Sequence, residues 1–391
     1  MDIINAKIYT ANEDFQIIEN GFCRITEDKI TDVSDMSRYE WDNGSEVIDA
    51  KGAMLFPGFI DAHSHVGMWE DAVSFEGDDG NEMTNPSTPQ LRAIDAINSF
   101  DKCFREALEA GITTVITGPG SANPVAGQMA AVKTYETRID KAIIKAPVAI
   151  KFALGENPKR VYNSKDQTPM TRMASASIIR EQLIKAKKYK EDQDDSKNNP
   201  ADNKSTKYDF KCEALIPLLN GEIEAHIHAH RSDDIYTAIR LAKEFDLKFT
   251  VIHCTEGHLI ADELVNDGVK AVIGPTLTDR SKPELKNLTT SAAGILEKAG
   301  VRFAICTDHP VIPIQYLPLC AGLAVREGMS YNNAIRAITS EPAKICGIYD
   351  KVGSVEKGKT ADLALFGCDP LSNYAKPRAV IAGGKCIYNK I

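Results

Sequence analysis

The chain has 391 residues, 43% hydrophobic and 26% charged, the usage of a soluble globular protein with room for one large barrel or two to three ordinary domains. Its net charge of -9 repels nucleic acid and anionic membranes, so neither is expected as a partner. No stretch approaches the roughly 18 apolar residues of a membrane span, and "MDIINAKIYTANED" lacks the basic-then-apolar order of a signal peptide. The nine cysteines are scattered without a CxxC pair, which predicts reduced thiols in a cytoplasmic protein.

In chain order, residues 1–56 hold short alternating runs broken by polar turns: "MDIINAKIYT", "GFCRITEDKITDVS" and "SEVIDAKGAMLFPG". Residues 348–391 repeat that pattern in "ADLALFGCD" and "PRAVIAGGKCIYNK". Between them, over 57–347, apolar strands alternate with loops and amphipathic helices. The strand candidates are "GFIDAH", "ITTVIT", "MAAVKT", "VAIKFAL", "IEAHIH", "KFTVIHC", "VKAVIG" and "RFAICTD". Eight such strands predict an α/β protein, a (β/α)8 TIM barrel, with a small β-sandwich assembled from the N- and C-terminal segments. A doubly wound sheet gives no reason for β segments at both chain ends. The stretch 187–209, "KKYKEDQDDSKNNPADNKSTKYD", is dense in charge and poor in apolar residues, and reads as a solvated loop insertion.

All eight histidines fall at or just past the C-terminal ends of predicted strands, the face of a barrel that carries active sites. His63 and His65 end the first, His226, His228 and His230 the fifth, His253 the sixth with His258 just beyond, and His309 follows Asp308 at the eighth. One histidine alone is most often a satisfied core or surface residue; the shared placement is what points to a site. Residues two apart on a strand share a face, so His63 and His65 aim at one point, and neutral imidazole suits zinc, manganese or iron. His226, His228 and His230 also share a face, stacked from the barrel interior to its rim, and cannot all reach one ion. Lys151 lies in the apolar "VAIKFALGENP". It either pairs with a carboxylate or carries carbon dioxide as a carbamate, an anion with one oxygen for each of two ions.

The motifs "FPGFIDAHSH", "GITTVITGPGSANPVAGQ", "IHAHRSDDI", "VIHCTEGH", "CTDHPV", "SEPAKICGI" and "VGSVEKGKTADLALF" resemble those of the amidohydrolase superfamily of metal-dependent hydrolases. Within it, the chain resembles the branch of imidazolonepropionase-related enzymes and prolidase-like dipeptidases. The resemblance implies two divalent ions, zinc or else manganese or iron, held by His63, His65, Lys151 as a lysine carbamate, His228, His253 and Asp308. It puts His228, the first histidine of "HAHR", on the metal, His226 one layer deeper and His230 at the rim facing substrate.

Two cations lower the pKa of a bridging water towards 7. The expected reaction is hydrolysis of an amide-type carbon–nitrogen bond in a small molecule by that hydroxide, with Asp308 as general base, in a dipeptidase or N-acyl amino acid amidase. His230, or else His258, is expected to stabilise the tetrahedral oxyanion. For substrate binding, the glycine-rich 118–128 offers Ser121, Asn123 and Gln128, although a tight structural turn explains that stretch equally. Arg231 either clamps a substrate carboxylate or pairs with Asp233 or Asp234. "GENPKRVY" adds Arg160 and Tyr162. Cys254 and Cys306 read as small apolar fillers rather than nucleophiles. Two other classes stay open: a mononuclear deaminase or imidazolonepropionase-like cyclic amide hydrolase, and a non-catalytic scaffold. Deaminases of the superfamily place a glutamate where this chain has Arg231. A homo-oligomer is the usual outcome for soluble enzymes.

Overall fold

The computed structural model describes residues 1–42, 44–70, 74–198 and 207–390. Strands from the two chain ends share one sheet. In it β1 (Asp2–Tyr9), β2 (Ile17–Thr26), β3 (Lys29–Asp35), β4 (Val47–Asp49) and β5 (Met54–Pro57) join β14 (Leu363–Phe366), β15 (Pro377–Ala382) and β16 (Lys385–Asn389). The joint is the antiparallel pairing of β5 with β14, where Leu55 stands opposite Leu365. Alternation sends one side of these strands into a core of their own, with Ile3, Ile8, Leu55, Leu363 and Ile381 fully buried. Hydrogen bonding makes this one continuous sheet, where two faced sheets were expected.

The second sheet contains β6 (Phe59–Ser64), β7 (Ile112–Thr117), β8 (Val125–Lys133), β9 (Ile143–Ala153), β10 (Glu224–Ala229), β11 (Phe249–His253), β12 (Lys270–Ile273) and β13 (Arg302–Ile305), each bonded to the next. Its two ends meet. Asp308 N donates to His63 O at 3.2 Å, and His65 N donates to His309 O at 2.9 Å. The Asp61 carboxylate accepts from Thr307 N at 3.1 Å and Thr307 Oγ1 at 2.5 Å. The sheet therefore nearly closes into a barrel. Val251, Ile273 and Phe303 on its outer side pack in one core with Leu296 of the helix Ala292–Ala299.

One strand departs from a fully parallel barrel. β8 runs antiparallel to both β7 and β9. Only residues 118–124 separate β7 from β8, and a parallel crossover needs a dozen or more. The charged stretch also differs from expectation. Its residues to 198 are the end of a helix, Arg172–Asn198. Ile179, Leu183, Ala186 and Tyr189 recur at helical spacing and enter the same core as Leu215 and Leu218. Glu181–Lys185 and Lys190–Asp194 are one turn apart and support the outer face. Charge on the three remaining sides hid this narrow stripe. Residues 199–206 of the expected loop lie outside the described residues. Among the described residues, no helix is long and apolar enough to cross a membrane.

Candidate metal centre

Two groups of donor atoms meet where β6, β10, β11 and β13 end. His63, His65 and Asp308 form the first. His63 Nε2 and His65 Nε2 lie 3.6 and 3.3 Å from Asp308 Oδ1. His228, His230 and His253 form the second, with ring centroids 4.5 to 4.7 Å apart. The rings of His63 and His253, 5.6 Å apart, connect the two. Lys151 is fully buried and donates to His63 Nε2 at 2.8 Å. No carboxylate lies within ion-pair distance of its amine among the described residues, so the pairing left open by the sequence is not formed.

Backbone conformation aims these side chains. His253 (φ 72°), Cys254 (φ 46°) and Asp308 (φ 54°) are left-handed, a strain held only where the surroundings enforce it and gathered at functional sites. Gly274 has φ +132°, and a Cβ there would lie 2.4 Å from Cys306 O. Its carbonyl accepts from His253 Nδ1 at 2.7 Å, and Gly118 O accepts from His65 Nδ1 at 2.7 Å. A carbonyl partner requires Nδ1–H, which fixes the tautomer and leaves the Nε2 lone pair facing the centre. His230 differs: its Nδ1 meets the Thr255 hydroxyl at 2.7 Å, a partner that can donate as well as accept. Neither nitrogen of His228 has a hydrogen-bond partner among the described residues.

Burial suppresses the charged form of these imidazoles. It holds His63, His228 and His230 well below the ordinary value and His253 at about 4, so each is neutral at pH 7. Burial lowers Lys151 to about 8. For Asp308 burial works upwards, but electrostatic interaction with His253, the hydrogen bond with His65 and the nearby Lys151 amine outweigh it and hold the carboxyl below its ordinary value. Neutral imidazoles and one carboxylate are the donors a divalent ion takes. Two donors at about 2.1 Å from a tetrahedral ion stand about 3.4 Å apart, close to the 3.3 and 3.6 Å separations around Asp308. The first group, whose donor atoms lie within 4.8 Å of one another, suits an ion once His63 Nε2 is released from the Lys151 amine. In the second, the ring nitrogens of buried His228 and Nε2 of His253 are available as donors.

The centre opens into a cavity of about 740 Å³. Trp69 on its wall meets His65 edge-on at 4.6 Å. Two cations face it, Arg160 and Lys282. Lys282 Nζ lies 2.6 Å from Glu284 Oε1, 3.2 Å from Asn157 Oδ1 and 3.4 Å from His230 Nε2. Glu284 is buried behind it, with Oε1 3.6 Å from His230 Nε2 and 3.9 Å from His228 Nε2. Its Oε2 accepts from Glu156 N at 3.0 Å. That approach requires Gly155 (φ +80°), where a Cβ would lie 2.8 Å from Glu284 Oε2.

His63, His65, Lys151, His228, His230, His253 and Asp308 are thus brought together. Five expected substrate contacts do not line the cavity. Arg231 is bidentate to Asp233, at 2.9 Å on both bonds. Asn123 and Tyr162 hold each other, with Tyr162 Oη donating to Asn123 Oδ1 at 2.7 Å while the amide spends its hydrogens on Glu82 O and Thr88 Oγ1. Gln128 bonds Pro89 O, and His258 Nδ1 meets Thr255 O. Glycine-rich spacing and a rim position suggested these residues; local hydrogen bonds claim them instead. Cys254 is buried with its thiol pushed up to about 12, as suits a filler. Trp69, Lys282 and Glu284 went unseen in the sequence. The last two lie in "DRSKPELKNL", which reads as an ordinary charged loop; only the fold reveals a buried glutamate there.

Residues 54–387 match the model of the amidohydrolase family. An amidohydrolase from Thermotoga maritima MSB8 superposes with a TM-score of 0.94, at 37% identity over 99% of both chains. Amidohydrolase tasK of Hapsidospora irregularis is 27% identical over 359 residues, covering 86% of this chain and 37% of that protein. The chain therefore spans little more than a third of that relative's length. Imidazolonepropionase of Rhizobium rhizogenes is 23% identical over 93% of this chain and 90% of its own.

Proposed function

Because the chain belongs to the amidohydrolase family, we propose that it is a binuclear hydrolase that cleaves the amide bond of a dipeptide or an N-acyl amino acid. The observation that supports this reading best is the pair of three-donor groups beside a fully buried Lys151 that has no carboxylate partner among the described residues. Divalent ions held there would supply Lewis-acid activation of a water and of the scissile carbonyl. His63, His65 and Asp308 would hold one ion, His228 and His253 the other, and Lys151 both, as a carbamate. That group forms when the uncharged amine adds to carbon dioxide and releases one proton, and burial keeps part of the amine uncharged.

Asp308 takes the proton from the attacking water and returns it to the departing nitrogen. With the Thr255 hydroxyl donating to its Nδ1, His230 presents Nε2–H to the cavity. That group and Lys282 Nζ, 3.4 Å apart, flank the oxyanion of the tetrahedral intermediate. The open Arg160 guanidinium suits a substrate carboxylate at the rim. A deaminase is disfavoured because Arg231, in the position of its proton-shuttling glutamate, is committed to Asp233 outside the cavity.

The test is metal analysis with a screen of dipeptides and N-acyl amino acids for released amine. About two ions per chain and amine release are expected. One ion with ammonia release from aminated heterocycles would replace this reading by a deaminase, and a chain that binds no metal would make it a scaffold.

A further inference from the structure

His226 is the one histidine of the β10 trio without a part in this chemistry. It is fully buried, and neither of its ring nitrogens has a partner among the described residues. An unspent donor and acceptor in a barrel interior are destabilising, and an apolar side chain of similar size carries no such cost. Strand register says where those nitrogens can be used. Across four adjacent strands, Lys151, His226, Thr250 and Lys270 stand side by side in one row. On the β11 side the row is satisfied. Thr250 Oγ1 donates to Glu224 Oε2 at 2.9 Å, and Lys270 is paired with Glu224 Oε1. On the β9 side stands Lys151, whose amine is hydrogen-bonded to His63 and not to His226.

We infer that His226 is a positioning residue for Lys151: it hydrogen-bonds the carboxylate that the lysine carries as a carbamate and holds it between the two donor groups. The inference rests on the proposed binuclear reading, because the bare ammonium offers His226 no acceptor. Lys151 reaches the centre through four rotatable side-chain bonds, and a neighbour in register fixes such a chain at its own depth. His228, two residues on, then sits one layer higher as a ligand, and His230 at the rim.

The test uses His226→Leu and His226→Gln in the full chain equilibrated with 13C-bicarbonate. It reads the carbamate carbon signal by NMR, metal per chain and the thermal midpoint. His226→Leu is expected to lose most of the carbamate signal and at least half of the metal, with an unchanged or higher midpoint. His226→Gln, which keeps a donor and an acceptor, should retain more than half of both. A leucine variant with full signal and full metal overturns the inference and leaves the lysine reading intact. Equal loss in both variants, or two unfolded variants, also overturns it by showing a purely structural role. A wild-type protein without the carbamate signal overturns the lysine reading and this inference together.

Discussion

His63 and His65 at the end of β6 and the three histidines at the end of β10 share the same two-residue spacing, yet they end in different situations. The β6 pair serves one group of donors, both Nε2 atoms within 3.6 Å of Asp308 Oδ1. The β10 trio is spread over three surroundings. His226 has no hydrogen-bond partner for either ring nitrogen among the described residues and stands in register with Lys151. His228 has no hydrogen bond but lies against the rings of His230 and His253. His230 is tied to Thr255 and faces Lys282. Spacing decides which face a side chain takes; depth along the barrel and the neighbours at that depth decide what it does.

Five substitutions test that contrast. The largest effect belongs to the carboxylate of the first group. Asp308→Asn is expected to cut turnover of whichever amide the screen identifies by about 10³-fold or more, consistent with loss of a general base together with a ligand. Circular dichroism should show the fold retained, and a variant of normal activity would remove Asp308 from the mechanism. Within the trio, His228→Asn should lower the bound metal by about one ion per chain, whereas His230→Asn should keep both ions and lose about 10²-fold in kcat. Equal metal loss in the two variants would mean that His230 is a ligand as well. Gly155→Ala forces a Cβ towards Glu284 Oε2, and is expected to cost about 1–3 kcal/mol in denaturant unfolding and to weaken kcat through displacement of Lys282. The smallest effect is expected of Arg231→Ala. It removes an exposed pair with Asp233, so stability should change by less than about 1 kcal/mol and KM not at all; a large rise in KM would restore Arg231 to the substrate site.

Much of the centre was legible because it was built from rare residues at strand ends. Histidine at i and i+2 in "DAHSH", a lysine inside "VAIKFAL" and "CTDHP" after the last strand each depart from what an apolar strand needs for packing. The helix Arg172–Asn198 and the reversed β8 were less legible for a common reason. A four-residue apolar stripe among charges and a seven-residue connection give weak local signals, whose meaning depends on what packs against them. Arg231 was open to two readings, a carboxylate clamp or a pair with Asp233 or Asp234, and the structure forms the bidentate bond to Asp233.

Local patterns along the chain were enough for the barrel-like sheet with its added terminal strands, the family, and the residue types gathered at the strand ends, because strand periodicity and the cost of burying polar groups act between near neighbours. Tertiary structure alone decided that Glu284 is buried beside His230, that Lys282 and Arg160 face the cavity while Arg231 does not, and that His226 is left unsatisfied next to Lys151. Those outcomes depend on loops and strands distant in the chain meeting at a given depth. No local pattern encodes that depth, because it is set by how the whole barrel closes.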